Sequence, residues 1–168
     1  MQDTPATDEF SSQPSPGMGL WLWRWFWRVT LVVSLGYAWY CFYVPQNDIA
    51  WADDYPSGKQ LAAESGKPMI LFFTGDWCVP CRIMKRTVWA DEQVESVVDA
   101  GFTPILINVR EPGDNSEALE QYEVYVTPTT IIADAEGNVL EQVQGAVSKP
   151  EFLAMLENLH APKLATGI

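Results

Sequence analysis

The segment at residues 76–81, Asp-Trp-Cys-Val-Pro-Cys, constrains the fold of this chain more than any other feature. It follows an apolar run, Met69 to Phe73, with the length and composition of a buried strand. A helix that begins at Cys78 places this thiol at unpaired N–H groups, which stabilise the thiolate needed for disulfide exchange. Cys81 follows one turn later, close enough to close a small disulfide ring, and Pro80 occupies the first turn, where a missing N–H is tolerated. The pattern therefore predicts a strand, a loop and a helix that carry a redox-active dithiol.

Composition limits the possible classes of function. The 168 residues leave room for one domain of ordinary size and an appendage. The net charge is −12, and the part from Trp51 onward holds 18 acidic and 8 basic side chains. Because phosphate binding needs a basic surface, we expect no nucleic-acid partner. The 3 cysteines are too few for a structural disulfide framework, and the spacing of one pair suits redox or metal chemistry.

The N-terminal residues divide into a polar stretch and an aromatic, apolar stretch. Residues 1–19 are rich in Pro, Ser, Gly and Asp, which predicts a disordered cytoplasmic tail. Residues 20–44 carry only Arg24 and Arg28 as charges and have Trp and Tyr residues crowded at both ends, which is typical of a transmembrane anchor. The positive-inside rule then puts the N-terminus in the cytoplasm. We therefore expect a single-pass protein of the bacterial inner membrane, with a linker at 45–48 and an extracytoplasmic domain.

Two alternatives to the anchor arise from the same segment. Ala50-Trp51-Ala52 resembles a small-x-small cleavage site, so a cleaved signal peptide is the main competing interpretation. Cleavage there would remove Trp51, which has the character of a domain residue. A lipoprotein attachment at Cys41 is disfavoured because Tyr40, which precedes it, is not small. Cys41 is interpreted as an apolar filler of the span.

From residue 49 onward, the pattern predicts alternating helices and short strands. A capping box of Ser57 and Gln60 predicts the first helix, Asp91 and Asp114 are predicted to cap two more, and Ser148 with Glu151 is predicted to cap the last. The predicted helices are 59–65, 79–88, 91–100, 114–122 and one from 148, and the predicted strands are 68–74, 103–109, 129–133 and 139–144. A βαβ unit followed by a β-hairpin and a helix gives a mixed α/β sheet with helices on both faces.

The order of these elements, the Trp-Cys-x-Pro-Cys site and Thr127-Pro128-Thr129 resemble the thioredoxin family over residues 49–160. The phrase from Gly66-Lys67-Pro68 to the dithiol more narrowly resembles the thioredoxin-like domain of bacterial membrane-bound thiol:disulfide interchange proteins. The fold class that we expect is thus α/β and thioredoxin-like, preceded by one transmembrane helix and followed by a tail at 161–168.

The resemblance implies roles for five residues. Cys78 is the attacking thiol and Cys81 the resolving thiol, and the two form the redox disulfide. Trp77 either shields the site as a contact surface or is a half-buried core aromatic. Pro128 matches a cis-proline that faces the dithiol, which would turn the backbone of Thr127 toward a bound, extended polypeptide. No cofactor or metal is required, and the partners are protein thiols or disulfides and a redox partner protein.

One departure from the family concerns a buried ion pair. Thioredoxins bury an acid six residues before the first cysteine and pair it with a lysine on the neighbouring strand, whereas this chain has Phe72 and Leu106 there. Losing both charges together is consistent, because one alone would be buried unpaired. The usual proton relay to Cys81 is therefore absent. Arg82, together with Lys85 and Arg86, adds a basic stripe after the dithiol, which favours the thiolate or an acidic partner, or is simply a solvated helix face.

Three functions compete on these grounds. The leading hypothesis is an enzyme, a membrane-anchored thiol–disulfide oxidoreductase that acts on extracytoplasmic proteins. The second is a metallochaperone in which Cys78 and Cys81 hold Cu(I) or zinc, although zinc would need two further ligands. The third is a redox-inert adaptor that uses the same fold. The direction of exchange depends on a reduction potential that the sequence does not state.

Overall fold

The computed structural model describes residues 17–110 and 113–165. The predictions for residues 1–16 and 166–168, which belong to the two expected tails, lie outside the described residues. The chain divides into two compact units, with the boundary between Tyr43 and Val44.

The first unit contains helix α1, Met18–Phe42, which has 25 residues. Within the described residues, no helix combines the length and apolar character needed to cross a membrane. About 20 residues suffice for a span, so α1 is long enough and falls short in apolar character. The expectation of a transmembrane anchor at 20–44 is therefore not confirmed.

Among its described residues, the second unit contains five α-helices and four strands, together with a π-helical turn and a short 3-10 turn. They are α2 (Tyr55–Ser65), β1 (Met69–Thr74), α3 (Val79–Met84), the π turn (Lys85–Trp89), α4 (Glu92–Gly101), β2 (Thr103–Asn108), the 3-10 turn (Gly113–Asn115), α5 (Ser116–Tyr122), β3 (Thr129–Ala133), β4 (Val139–Gln144) and α6 (Lys149–Ala165). The last helix thus continues into the segment expected as a tail.

The four strands form one mixed sheet in the order β2-β1-β3-β4. β1 pairs in parallel with β2 and antiparallel with β3, and β3 pairs antiparallel with β4. Because a parallel pair needs a crossover, α3 and α4 lie between β1 and β2 in sequence, and a tight turn joins β3 to β4. This arrangement confirms the predicted βαβ unit followed by a hairpin and a final helix.

Strand β1 divides its side chains between two apolar clusters, as the alternation of a strand requires. Ile70 and Phe72 join Cys81 in one cluster, which we call the dithiol face, and α3, α4 and α6 cover it. Met69, Leu71 and Phe73 join the cluster on the other side of the sheet, which α2 and α5 cover and which we call the opposite face. All six residues of β1 are buried. At about 1.5–3 kcal/mol for each large apolar side chain, this burial is a major stabilising term.

Two helix starts differ from the predicted ones. α2 begins four residues early because the Asp54 carboxylate accepts the backbone N–H of Ser57 at 2.7 Å and Pro56 occupies the first turn, so Asp54 and not Ser57 is the cap. Asp114 lies in the 3-10 turn and does not cap α5. The neighbouring Asn115 instead accepts the Tyr55 backbone N–H at 2.6 Å through its Oδ1. The predicted caps at α4 and α6 are confirmed.

The segment before α2 is packed onto the domain. Ile49 is buried, and the ring of Trp51 meets that of Trp89 edge-on with a centroid distance of 5.0 Å. The Ala52 backbone N–H donates to the carbonyl of Pro104 at 2.9 Å, and Ala52 forms a parallel bridge with Ile105 of β2. Residues 49–52 are therefore an integral part of the second unit.

Candidate functional site

Cys78 and Cys81 form a disulfide at the start of α3, with their Cα atoms 5.2 Å apart. Cys78 is the N-cap residue and is partly exposed, whereas Cys81 is fully buried. The Cys81 backbone N–H donates to the Sγ of Cys78 at 3.2 Å. Once the pair is reduced, a donor in this position stabilises a negative charge on Cys78. The geometry thus favours an accessible thiolate at Cys78 and a protected thiol at Cys81.

The loop that leads to Cys78 is held by hydrogen bonds from three sides. The N–H of Cys78 donates to the Gly75 carbonyl at 3.1 Å, and the Nη1 of Arg82 donates to the Asp76 carbonyl at 3.1 Å. The Nδ2 of Asn108 donates to the Asp76 carboxylate at 3.1 Å. Sequence reasoning missed Asn108. Its signal is a polar residue at the last position of a buried strand beside the strand that leads to the dithiol, since Asn108 pairs with Thr74.

Lys85 is partly buried, so the basic stripe is not a fully solvated helix face. Burial lowers the pKa of the Lys85 ammonium, and the negative charge of Asp76 opposes that shift. Lys85 lies one turn after Cys81, at the start of the π turn. Lys85 in the helical segment and Asp76 in the loop thus interact electrostatically.

The other predicted site residues lie at the end of the sheet where strand β1 terminates. The Thr127–Pro128 peptide bond is cis, as the resemblance implied. Thr129 pairs with Phe73, so Pro128 lies level with the end of β1, where the loop to the dithiol begins. Trp77 is 70% exposed, which excludes the interpretation as a half-buried core aromatic. Tyr125 is 87% exposed, so two aromatic side chains near this end of the sheet are accessible to solvent.

Beneath the dithiol, Phe72 and Leu106 lie directly opposite each other on β1 and β2. Phe72 is fully buried in the same cluster as Cys81, and Leu106 packs against that cluster. The two positions that would hold a buried ion pair therefore do face each other, and both are apolar. This part of the dithiol face supplies no carboxylate to Cys81.

Residues 17–110 and 113–165 contain no cluster of three or more His, Cys, Asp or Glu side chains placed to hold a metal ion. The metallochaperone hypothesis stays an untested alternative.

Comparison with known sequences gives a consistent set of relatives. Residues 55–160 match the family model described as a thioredoxin-like domain. The chain is similar to the thiol:disulfide interchange protein DsbD of Ralstonia nicotianae, with 33% identity over 99 residues, which cover 58% of this chain and 16% of that protein. DsbD of Yersinia enterocolitica is 30% identical over 102 residues, which cover 59% of this chain and 18% of that protein. This chain thus spans less than a fifth of the length of these two relatives.

Solved structures with the same fold include a DsbH oxidoreductase, with a TM-score of 0.57 and 20% identity over 68% of this chain and 85% of that one. A thioredoxin from Thermus thermophilus has a TM-score of 0.59 and 24% identity, over 66% of this chain and 86% of that one. The oxidised C-terminal domain of Neisseria meningitidis DsbD has a TM-score of 0.51 and 24% identity, over 61% of this chain and 90% of that one. These likenesses concern the fold alone.

Proposed function

The chain belongs to the thioredoxin-like domain family, and we propose that it is a thiol–disulfide oxidoreductase that uses Cys78 and Cys81 on protein substrates. The observation that carries the proposal is the asymmetry of the pair. Cys78 is partly exposed and accepts the N–H of Cys81, whereas Cys81 is fully buried. An accessible stabilised thiolate beside a protected thiol is what a two-step exchange requires. The DsbD relatives are thiol:disulfide interchange proteins, which supports the same activity.

The exchange proceeds in two successive displacements at sulfur. The Cys78 thiolate attacks one sulfur of a substrate disulfide, and the other substrate sulfur leaves as a thiolate. The Cys81 thiolate then attacks the Sγ of Cys78, which restores the Cys78–Cys81 disulfide and releases the second substrate sulfur. Oxidation of a substrate dithiol is the reverse sequence. No cofactor takes part in either direction. A redox partner protein returns the cysteine pair to its starting redox state.

The surface beside the dithiol supports a polypeptide substrate. Trp77 and Val126 are exposed at the end of the sheet where Thr127 and the cis-bonded Pro128 lie. Exposed aromatic and aliphatic side chains give an extended polypeptide an apolar surface, and the backbone of Thr127 gives it a hydrogen-bonding partner. We assign Trp77, Thr127 and Pro128 to substrate binding on this basis.

The proposed location is the extracytoplasmic side of the bacterial inner membrane, with α1 as the attachment. Its support is the sequence alone: Arg24 and Arg28 near the N-terminal end of α1, and acidic residues that follow it. A reporter fused after Ile168 is expected to behave as an exported protein, and the chain is expected in the membrane fraction. A cytoplasmic reporter signal would refute this location and leave the chemistry of the dithiol standing.

Substitution of each cysteine tests the chemistry. We expect Cys78→Ala to abolish the reduction of a protein disulfide, and Cys81→Ala to accumulate mixed disulfides between Cys78 and its substrates. Cys41, the free cysteine of α1, provides the matched control, and Cys41→Ala is expected to keep full activity. Non-reducing gel electrophoresis after alkylation measures the trapped species. Equal trapping by the Cys78 and Cys81 variants would show that the nucleophile is wrongly assigned.

A further inference from the structure

The dithiol face buries two threonine hydroxyls that have no hydrogen-bond partner among the described residues. They are the Oγ1 atoms of Thr74, which is 2% exposed, and of Thr130, which is 1% exposed. Burying a hydroxyl without a partner costs free energy, so such groups are uncommon in folded proteins. Two of them on one face of a four-stranded sheet call for a physical explanation.

The register of the sheet places Thr130 on the face that carries Phe72. Thr130 lies directly opposite Phe72 on the antiparallel pair β1–β3, and opposite residues project to the same face. Phe72 and Cys81 belong to the same buried cluster, and so does Ile132, two residues after Thr130 on the same face of β3. The Thr130 hydroxyl therefore belongs to the layer on which Cys81 packs. Thr74 lies on the same face but opposite Asn108, at the end of β1.

We infer that the Thr130 hydroxyl is the hydrogen-bond donor to the Cys81 sulfur once the disulfide opens. In the oxidised structure the hydroxyl donates to neither sulfur of the disulfide and has no partner among the described residues. A thiolate is a strong, charged acceptor, and hydrogen bonds to charged groups are stronger than neutral ones. Where Phe72 and Leu106 leave no carboxylate to activate the resolving thiol, Thr130 supplies the missing polar contact. This inference rests on the proposed function, because it concerns the second step of exchange.

The step affected is the breakdown of the mixed disulfide. Cys81 loses its proton, the thiolate attacks the Sγ of Cys78, the bond between Cys78 and the substrate sulfur breaks, and that sulfur leaves with the electron pair. The proton released by Cys81 ends on the departing substrate thiolate or in water. Thr130 neither gains nor loses a proton overall. It lowers the energy of the attacking thiolate by donating a hydrogen bond to it.

Charged groups near Cys81 come from its own helix and from the preceding loop. Arg82 and the partly buried Lys85 lie on the helical segment that begins at Cys78, and Asp76 lies in the loop. Among the described residues, the buried side chains of β1, β2, β3, α4 and α6 include no charged group. The three charged groups are left in place by any substitution at Thr130. A change in the pH dependence of Cys81 caused by Thr130→Val therefore reports on the hydroxyl itself.

The test follows the release of a coloured thiolate from the mixed disulfide across pH. The full chain, reduced and carrying Cys41→Ala, is mixed with 5,5′-dithiobis(2-nitrobenzoate), and the second released nitrothiobenzoate reports attack by Cys81. We expect Thr130→Val to slow this second release about tenfold at pH 7 and to shift its pH profile upward by about one unit, the equivalent of a tenfold change. Thr130→Ser, which keeps the hydroxyl, should retain the original profile.

Two further variants separate this role from packing. Thr103, another buried threonine, starts β2 at the other end of the sheet, and Thr103→Val is expected to leave the profile unchanged. Because the Thr130 hydroxyl is unpaired in the oxidised protein, Thr130→Val should not lower the oxidised stability in urea. If that variant fails to fold, Thr130→Ala is measured instead, with the same expected shift.

An unchanged profile in Thr130→Val or Thr130→Ala, or an equal shift in Thr103→Val, would overturn the inference. Failure of the proposed function gives a different result. In that case the parent protein shows no second release at any pH and leaves protein disulfides unreduced.

Discussion

On the opposite face of the sheet the buried tyrosine hydroxyls are hydrogen-bonded, whereas on the dithiol face two buried threonine hydroxyls have no partner among the described residues. The Tyr55 hydroxyl lies 2.8 Å from the Oε1 of Gln121 and 3.3 Å from the Tyr122 hydroxyl, and Tyr122 donates to the Gly137 carbonyl at 3.2 Å. On the dithiol face, the Nε1 of Trp89 and the Oγ1 of Thr130 are buried with no partner in the described part of the chain. Both faces are closely packed, so the contrast lies in their polar groups.

The contrast separates structural polar groups from groups held for chemistry. Hydrogen bonds on the opposite face tie α2 and α5 to the turn that joins β3 and β4. Gly137 in that turn has a φ of +93°, and a Cβ there would come within 2.8 Å of the Gln121 Nε2. This network therefore specifies one arrangement of the hairpin. On the dithiol face the unpaired groups lower the stability, and the proposed hydrogen bond from Thr130 to Cys81 gives one of them a role during the reaction.

Placing a charge on the dithiol face is expected to have the largest effect. Phe72→Asp introduces a lone carboxylate into a fully buried apolar position, and we expect a loss of about 3–5 kcal/mol of unfolding free energy. Adding Leu106→Lys should recover part of that loss, because the two positions are paired across β1 and β2. Urea unfolding of the four members of this double-mutant cycle measures the coupling. Strictly additive losses would contradict the idea that the two side chains meet.

The second-largest effect concerns Trp51, which precedes α2 and packs against the dithiol face. Trp51→Ala removes a partly buried ring from Trp89, and we expect a loss of about 2 kcal/mol, below the range for a fully buried tryptophan. Trp77→Ala, which removes a ring that is 70% exposed, is the matched control and should leave the melting temperature nearly unchanged. The same experiment bears on the signal-peptide alternative, since cleavage after Ala52 would remove Trp51. A stability equal to that of the parent would show that the contact between Trp51 and Trp89 does not stabilise the fold.

The smallest effect probes the opposite face. Tyr122→Phe removes one buried hydroxyl from a bonded network, and we expect a loss of about 1 kcal/mol at neutral pH. Burial, together with the neighbouring Tyr55, raises the pKa of Tyr122 well above its ordinary value near 10. The folded protein thus keeps this proton when the unfolded chain loses it, so stability falls as pH rises above about 10.

Tyr122→Phe should therefore flatten the alkaline decline in stability as well as lower the value at pH 7. Chemical unfolding at a series of pH values between neutrality and about pH 11 measures both terms. An alkaline decline as steep in Tyr122→Phe as in the parent would show that another group titrates on unfolding.

Sequence reasoning predicted the sheet, because apolar runs with short turns identify buried strands and a parallel pair requires a crossover. It also predicted that Phe72 and Leu106 would face each other, which the register confirms. It misplaced the caps of α2 and α5, since Asp54 and Asn115 compete with neighbouring residues of the same capping class. Local pattern cannot decide between adjacent candidates when a tertiary contact selects one.

The site was predictable in its cysteines and less so in their surroundings. Cys78 and Cys81 stand out by spacing alone. Thr130 does not, because a threonine in a strand is ordinary and its lack of a partner depends on which side chains surround it. Asn108 acts through a contact between residues 32 positions apart in sequence, which no local motif encodes.

The bridge between Ala52 and Ile105 also bears on self-association. β2 is an edge strand, and an uncovered edge is a template on which another chain can add a strand. At this edge Pro104 lacks an N–H, and its carbonyl is occupied by the N–H of Ala52. The segment at residues 49–52 thus blocks a strand edge on which another chain could otherwise pair. Loss of that segment would expose the β2 edge and favour aggregation, even where each folded domain kept its dithiol intact.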